Sequence, residues 1–213
     1  ILPFLGAKYP ALQSNWSWTA CLALLIPAVA KLVLHLLSAR GYGIHGDELY
    51  YIGCGDRLDW GYIDQPPFSI LLLRLQRAVF GDSLLALRIL PALAGSLTVL
   101  LAGLLARRMG ARVFGQYLTE ICVLVAGVYL SLNHHFSMNA FDILFWLIAL
   151  HLVVRIIDGG QPFLWVWLGL VVGLGLRNKL SILFLCAGLS VRLMLTKERR
   201  SLHRPWLWAG LAS

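Results

Sequence analysis

Residues Leu84–Ala106 read LLALRILPALAGSLTVLLAGLLA. A helix crosses the hydrocarbon core of a bilayer with about 20 predominantly apolar residues, and this run is long enough to do so. Its one ionisable side chain, Arg88, stands one turn inside the N-terminal end. Five more apolar runs read as spans on the same ground: Trp18–Leu37, Val113–Leu132, Ala140–Ile157, Phe163–Leu176 and Leu180–Leu195. A seventh opens at Trp206 and runs to Ser213. The expected fold is therefore an all-α polytopic membrane protein, one transmembrane helix bundle over residues 1–213. The run Phe163–Leu176 is short, so it is expected to tilt against the next one or to form a hairpin with it that does not fully cross. Phe68–Phe80 is too short to span and carries Arg74 and Arg77 within one turn, which predicts a helix lying in the interface plane.

Composition agrees with that reading. Of the 213 residues 59% are hydrophobic and 13% charged, and the mean hydropathy is +0.76, too apolar for an ordinary water-soluble domain. The net charge of +8 does not indicate nucleic acid, because the basic residues fall in short clusters between apolar runs. Arg107, Arg108 and Arg112 form one cluster, Arg155 marks a second, and Lys197, Arg199, Arg200 and Arg204 form a third. Loops that carry Lys and Arg face the cytoplasm. The polar stretches Gly41–Pro67, His134–Asn139 and Arg177–Lys179 then share the extracytoplasmic face. The four cysteines, Cys21, Cys54, Cys122 and Cys186, have neither metal nor disulfide spacing and read as packing residues. A start at Ile1 and a stop inside an apolar run read as the N-terminal portion of a longer protein.

Between the first two spans lies GYGIHGDELYYIGCGDRLDWGYIDQPP, residues 41–67, inside a first loop over residues 41–81. Linkers are usually small and polar. This loop is acidic and aromatic, the composition of a sugar- or phosphate-handling surface.

The stretches GDELYY, DWGYIDQPP, GDSLLALRILPALAG, FSMNAFDILFW and GLGLRNKLSILF, in that order, resemble the superfamily of protein O-mannosyltransferases and aminoarabinose transferases, polytopic glycosyltransferases of the GT-C fold and similar to glycosyltransferase family 39. The resemblance covers about Gly41 to Leu185. It implies an acidic catalytic motif in the first extracytoplasmic loop, juxtamembrane helices after it, and a sugar linked to a polyprenyl phosphate as donor. On that resemblance Asp47 is the catalytic aspartate and Asp142 the acidic position of a second motif. The DQPP segment resembles the acid-Lys-Pro-Pro segment of the aminoarabinose transferases, whose acid takes part in a metal site and whose Lys faces the lipid phosphate. Gln65 stands here in place of that Lys. It donates a hydrogen bond without charge, so the motif does not by itself imply the family's phosphate binding or aminoarabinose specificity here.

The chemistry can be argued separately from the residues. A sugar on a lipid phosphate leaves as a stabilised anion and needs positive charge rather than a general acid. An acceptor alcohol must lose its proton, which a carboxylate in hydrogen-bond reach can take. Asp47 is the expected base, and direct displacement would invert the anomeric centre. The competing account of Asp47 is a helix cap. Glu48 reads either as orienting the acceptor or as a solvated first-turn acid. Asp142 lies near the start of an apolar span, where an acid is costly unless paired or functional; alternatively Asn139 caps that helix with Asp142 in its first turn. Arg88, Lys179, Gln65 and Arg74 are expected at the donor phosphate, with Arg77 a further counter-charge. For Arg88 and Lys179 the alternative is snorkelling, and for Arg74 and Arg77 contact with lipid headgroups. Tyr50, Tyr62 and Trp60 would stack on sugar or belong to an interface belt. Asp64 is the candidate ligand for a divalent metal ion, or a turn former. His134 and His135 are adjacent and could not face one ligand together on a helix. Gly169 and Gly173 have GxxxG spacing and predict close packing within the chain. A transporter, or a non-catalytic scaffold subunit, remains the alternative to a transferase. A transporter would place acids deep in several spans, whereas the charges here are read as gathering at one edge.

Overall fold

The computed structural model describes residues 18–41, 43–159 and 161–195. The seventh apolar run and the Lys197–Arg204 cluster lie outside them. Among the described residues every regular element is an α-helix, in the order α1 (Trp18–Ser38), α2 (Gly46–Asp56), α3 (Phe68–Phe80), α4 (Leu84–Arg108), α5 (Val113–Val125), α6 (Gly127–Leu132), α7 (Met138–Ile157), α8 (Leu164–Asn178) and α9 (Ile182–Leu195). α4 and α7 are long and apolar enough to cross a membrane, both with a hydropathy of 2.1. Large apolar side chains such as Leu37, Phe114 and Phe184 point away from the protein, as lipid contact requires and water would not tolerate in such number. The chain is an integral membrane protein with an all-helical bundle.

Local chemistry sets the helix ends. Gly81 closes α3 at φ 78, a left-handed conformation that favours glycine. Ser83 then caps α4 by accepting from the Ala86 N–H at 3.2 Å. Arg107 and Arg108 end α4, where the carbonyl end of the helix dipole favours cations.

The expected span Val113–Leu132 is broken. Ala126 is extended, at ψ 121, and separates α5 from α6. The preceding Ile121, Val123 and Val125 are β-branched and Gly127 is a poor helix former, so the local preference for continuing the helix is weak. The break leaves carbonyls at the end of α5 without helical partners. Lys31 of α1, fully buried, donates to one of them, the Leu124 carbonyl, at 3.4 Å. Glu120 of α5 is also fully buried. The expectation that charges gather at one edge therefore fails at these two residues, which lie within the helices.

α4 is the central element. It packs against α1, α5 and α7, while α7 packs on α8 and α2 on α3. Ser96 donates to the Ala28 carbonyl at 2.7 Å, joining α4 to α1, and a ring nitrogen of His151 meets the Leu101 carbonyl at 2.8 Å, joining α7 to α4. One core cluster, including Tyr51, Ile70, Leu73, Leu87 and Phe136, lies under the first loop. A second, including Ala149, Leu168 and Ile182, joins α7, α8 and α9. α3 is amphipathic, with Ile70, Leu73 and Gln76 buried and Leu71, Leu75 and Val79 exposed.

Glycine packing differs from the expectation. A Cβ on Gly173 would meet nothing within 4 Å, so that end of the GxxxG pair is not a close contact. The tight positions are Gly95 against Asn133, Gly103 against Glu120 and Gly175 against Ile182. A Cβ on Gly95 would lie 2.7 Å from Asn133 Cγ. Gly95→Ala is therefore expected to cost about 1–3 kcal/mol by overpacking, measured as a lower unfolding temperature in micelles, whereas Gly173→Ala leaves stability unchanged or slightly raised.

Candidate active site

α2 starts with a capping box in which a histidine takes the usual Ser/Thr place. His45 is the N-cap (φ −74, ψ 150), its Nδ1 accepts from the Asp47 N–H at 3.2 Å, and the Glu48 carboxylate accepts from the His45 N–H at 2.9 Å. This corrects the capping account of Asp47: the cap is His45. Asp47 is in the first turn with an exposed side chain, 3.9 Å from His45 Nδ1.

Glu48 has the opposite fate. It is 1% exposed, and one of its oxygens accepts from the Phe136 N–H at 3.0 Å. Arg88, 2% exposed, closes an ion pair with it at 3.3 Å. Arg88 donates further to the Gly43 carbonyl at 2.7 Å and to the Ala39 carbonyl. Burial alone would raise the Glu48 carboxyl; the Arg88 hydrogen bond, the two backbone N–H groups and the Arg88 charge outweigh it and hold the group below the ordinary carboxylate range. Neither reading of Glu48, acceptor contact or solvated acid, fits this position. Arg88 neither snorkels nor presents an unmatched charge to a phosphate, because Glu48 neutralises it. The pair is a strut joining α2, α4, the end of α1 and the 133–137 turn.

Beside the strut opens a cavity of about 660 Å³. Leu34, His35 and Ser38 of α1, His45, Arg88, and Leu130, His134 and His135 line most of it. The adjacent histidines diverge, since the 133–137 turn is not helical. His134 approaches His35 with ring centroids 6.1 Å apart, and His135 stacks on His45 at 4.4 Å. Burial and the neighbouring His45 push His135 below the ordinary histidine value. One ligand atom each from His45, Asp47 and His135 lie within 4.8 Å of one another. This cluster, rather than Asp64, is where the described residues could hold a metal. Asp64 instead accepts from the Tyr50 hydroxyl at 2.6 Å, and the Asp64 hydrogen bond pushes the Tyr50 phenol up.

A second group forms where α7 starts. Ser181 donates to Asp142 at 2.6 Å and Lys179 to Asn139 Oδ1 at 2.7 Å. Asn178 donates to the Met138 carbonyl at 2.9 Å, and the Met138 N–H donates to the Tyr51 hydroxyl at 3.0 Å, which ties this group to α2. Asn139 does not cap α7; Ser137 occupies the N-cap position, and Asp142 lies beyond the first turn.

The remaining loop residues are placed as follows. The Tyr62 hydroxyl accepts from the Asp59 N–H at 3.0 Å and lies 3.1 Å from the Cys54 and Arg57 carbonyls. It pins the loop rather than a sugar. Trp60 is 86% exposed at the loop tip. Arg77 binds Asp56 at 2.8 Å and also Asp82, while Arg74 lies 3.7 Å from Asp56. Arg77 is engaged by two acids of this loop region, which corrects its reading as a counter-charge for phosphate or headgroups, whereas the Arg74 side chain stays about half exposed beside Asp56. Gln65 is buried, and its amide nitrogen has no acceptor among the described residues.

The histidine grouping was not expected from the sequence. A His immediately before Gly-Asp-Glu, in GIHGDE, was the available signal, but its partner His135 lies 90 residues away in number and only the folded turn brings it near.

Comparison with known proteins gives the family of the chain. The family model described as dolichyl-phosphate-mannose-protein mannosyltransferase matches residues 64–213, so the chain belongs to that family. The match begins after Asp47 and Glu48. Among curated proteins, an undecaprenyl phosphate-alpha-4-amino-4-deoxy-L-arabinose arabinosyl transferase of Pseudomonas savastanoi pv. phaseolicola is 30% identical over 126 residues, covering 55% of this chain and 23% of the relative. A second enzyme of that description, from Pseudomonas fluorescens, is 33% identical over 117 residues, 49% of this chain and 19% of its own. The chain thus spans about a fifth of the length of these relatives. No solved structure matches it significantly.

Arg88→Met removes one partner of a buried pair and is expected to destabilise the protein by about 3–5 kcal/mol. Chemical unfolding in micelles would measure this, and limited proteolysis should find cleavage within residues 41–67 accelerated.

Proposed function

We propose that this chain carries the donor-side catalytic face of an inverting glycosyltransferase, which moves a sugar from a polyprenyl phosphate to a hydroxyl acceptor at the extracytoplasmic side of the membrane. The observation that carries the reading is Asp47, an open carboxylate on a rigidly held first turn, beside a cavity in a helical bundle of the mannosyltransferase family. The names of the relatives, which transfer arabinose derivatives from undecaprenyl phosphate, support a lipid-phosphate donor.

In this mechanism an acceptor oxygen attacks the anomeric carbon as its proton passes to Asp47. The new C–O bond forms on the face opposite the leaving oxygen, and the broken C–O bond leaves its electron pair on the polyprenyl phosphate. Glu48 and Arg88 fix the turn that presents Asp47; they take no proton. Lys179 has no carboxylate within 4.0 Å among the described residues and supplies charge for the phosphate. Gln65 offers it a buried N–H donor, whose desolvation an anionic oxygen would relieve. Asp142, oriented by Ser181, positions the acceptor.

A carrier reading draws on Lys31 and Glu120, which are buried within helices. The two readings diverge at Asp47. For a transferase, Asp47→Asn is expected to lower consumption of a labelled polyprenyl-phosphate sugar by about 10²–10⁴-fold with donor binding retained, tested in nanodiscs. Unchanged consumption in Asp47→Asn rules out its role as base. Solute flux that depends on Glu120, with no donor consumption by the parent, identifies a carrier.

A further inference from the structure

We infer that His45, Asp47 and His135 form a binding site for one divalent transition-metal ion, with its open positions facing the cavity and a phosphate oxygen of the donor. The role given to the ion rests on the transferase reading; the site itself rests on geometry.

Three observations converge on it. First, the ligand set is chemically suited: two imidazoles and one carboxylate, with ligand atoms within 4.8 Å of one another, are the donors that Zn²⁺ and related ions prefer. A metal–nitrogen distance of about 2.1 Å requires these atoms to close to roughly 3.4 Å, within the reach of side-chain rotation. His45 Nδ1 accepts the Asp47 N–H, so its lone pair is on that nitrogen, and metal binding exchanges one hydrogen bond for one coordinate bond.

Second, the ligands are held from behind. One carboxylate, Glu48, accepts the backbone N–H of His45 and that of Phe136, next to His135. Two chain segments far apart in sequence are thereby fixed at one spacing, and Arg88 anchors that carboxylate. Outer groups that orient ligands are a regular part of metal sites.

Third, the cavity face has no uncompensated lysine or arginine of its own, so a cation there would add to the charge Lys179 supplies. Arg88 is the one lysine or arginine among the described cavity-lining residues, and Glu48 matches its charge. The Asp47 carboxylate beside it adds no positive charge to receive a donor phosphate. A divalent ion held there would supply that charge. One Asp47 oxygen would hold the ion and leave the other for the acceptor proton, and a bound ion would supply positive charge to the leaving phosphate.

The test uses the intact protein in nanodiscs, stripped with EDTA and titrated with Co²⁺, whose visible absorption reports coordination apart from turnover. One Co²⁺ per protein is expected, with affinity at least tenfold weaker in His135→Ala and in His45→Ala, and about 10–100-fold weaker in Glu48→Gln. Asp64→Asn should bind as the parent does. If His135→Ala does not fold, His135→Gln takes its place. No Co²⁺ binding by the folded parent, undiminished binding in the folded His135 variant, or loss on Asp64→Asn instead overturns the site. Full donor consumption by the EDTA-stripped parent overturns the ion's part in turnover and leaves the transferase reading standing. Co²⁺ bound at this site by a parent that consumes no donor confirms the site and removes the transferase reading.

Discussion

The buried ion pair between Glu48 and Arg88 is the constraint on which the loop end of this bundle depends. A carboxylate taken out of water at this depth is unfavourable unless its lone pairs are filled. Here they are filled by the Arg88 guanidinium and by the N–H groups of His45 and Phe136. Those partners come from the start of α2, from α4 and from the turn before α7. Arg88 adds the residues just after α1 through the Ala39 and Gly43 carbonyls. Four chain segments are thus set relative to one another by two side chains, and the arrangement is specific because any slip leaves a charge or a donor unpaired.

The same pair explains how two neighbouring acids divide their work. Successive residues of a helix point about 100° apart. Once Glu48 is drawn inward to Arg88, Asp47 must point outward, toward His45 and His135. Its exposure follows from the burial of its neighbour. A carboxylate placed this way is open to solvent while its backbone N–H is held by the His45 cap.

A comparable economy holds deeper in the bundle. The break at Ala126 frees carbonyls that would be costly in an apolar interior, and Lys31 reaches one of them from α1. Gly103 leaves room for the Glu120 side chain against α4. Lys31 therefore joins α5 to α1 through a polar contact, while Glu120 joins α5 to α4 by close packing alone. Membrane helices gain little from apolar burial against one another, since lipid is equally apolar, so close packing and such polar contacts carry more of the specificity.

The helical elements and the residues of the first loop were legible in the sequence because both are local signals. Runs such as Leu84–Ala106 and Phe68–Phe80 declare their helices by length and hydropathy, and the acids, aromatics and prolines of residues 41–67 set that loop apart by composition alone. Family membership was legible too, through five stretches in a fixed order. The sequence by itself determined the class of molecule, its helical architecture and the candidate acids Asp47 and Asp142. Only the tertiary structure decided that Glu48 turns inward and Asp47 outward, that His45 caps α2, that Arg77 is held by Asp56 and Asp82, and that His135 stacks on His45. The physical reason is that each of these depends on a partner from a distant segment: which charge is neutralised, and which is left for chemistry, is a property of neighbours in space.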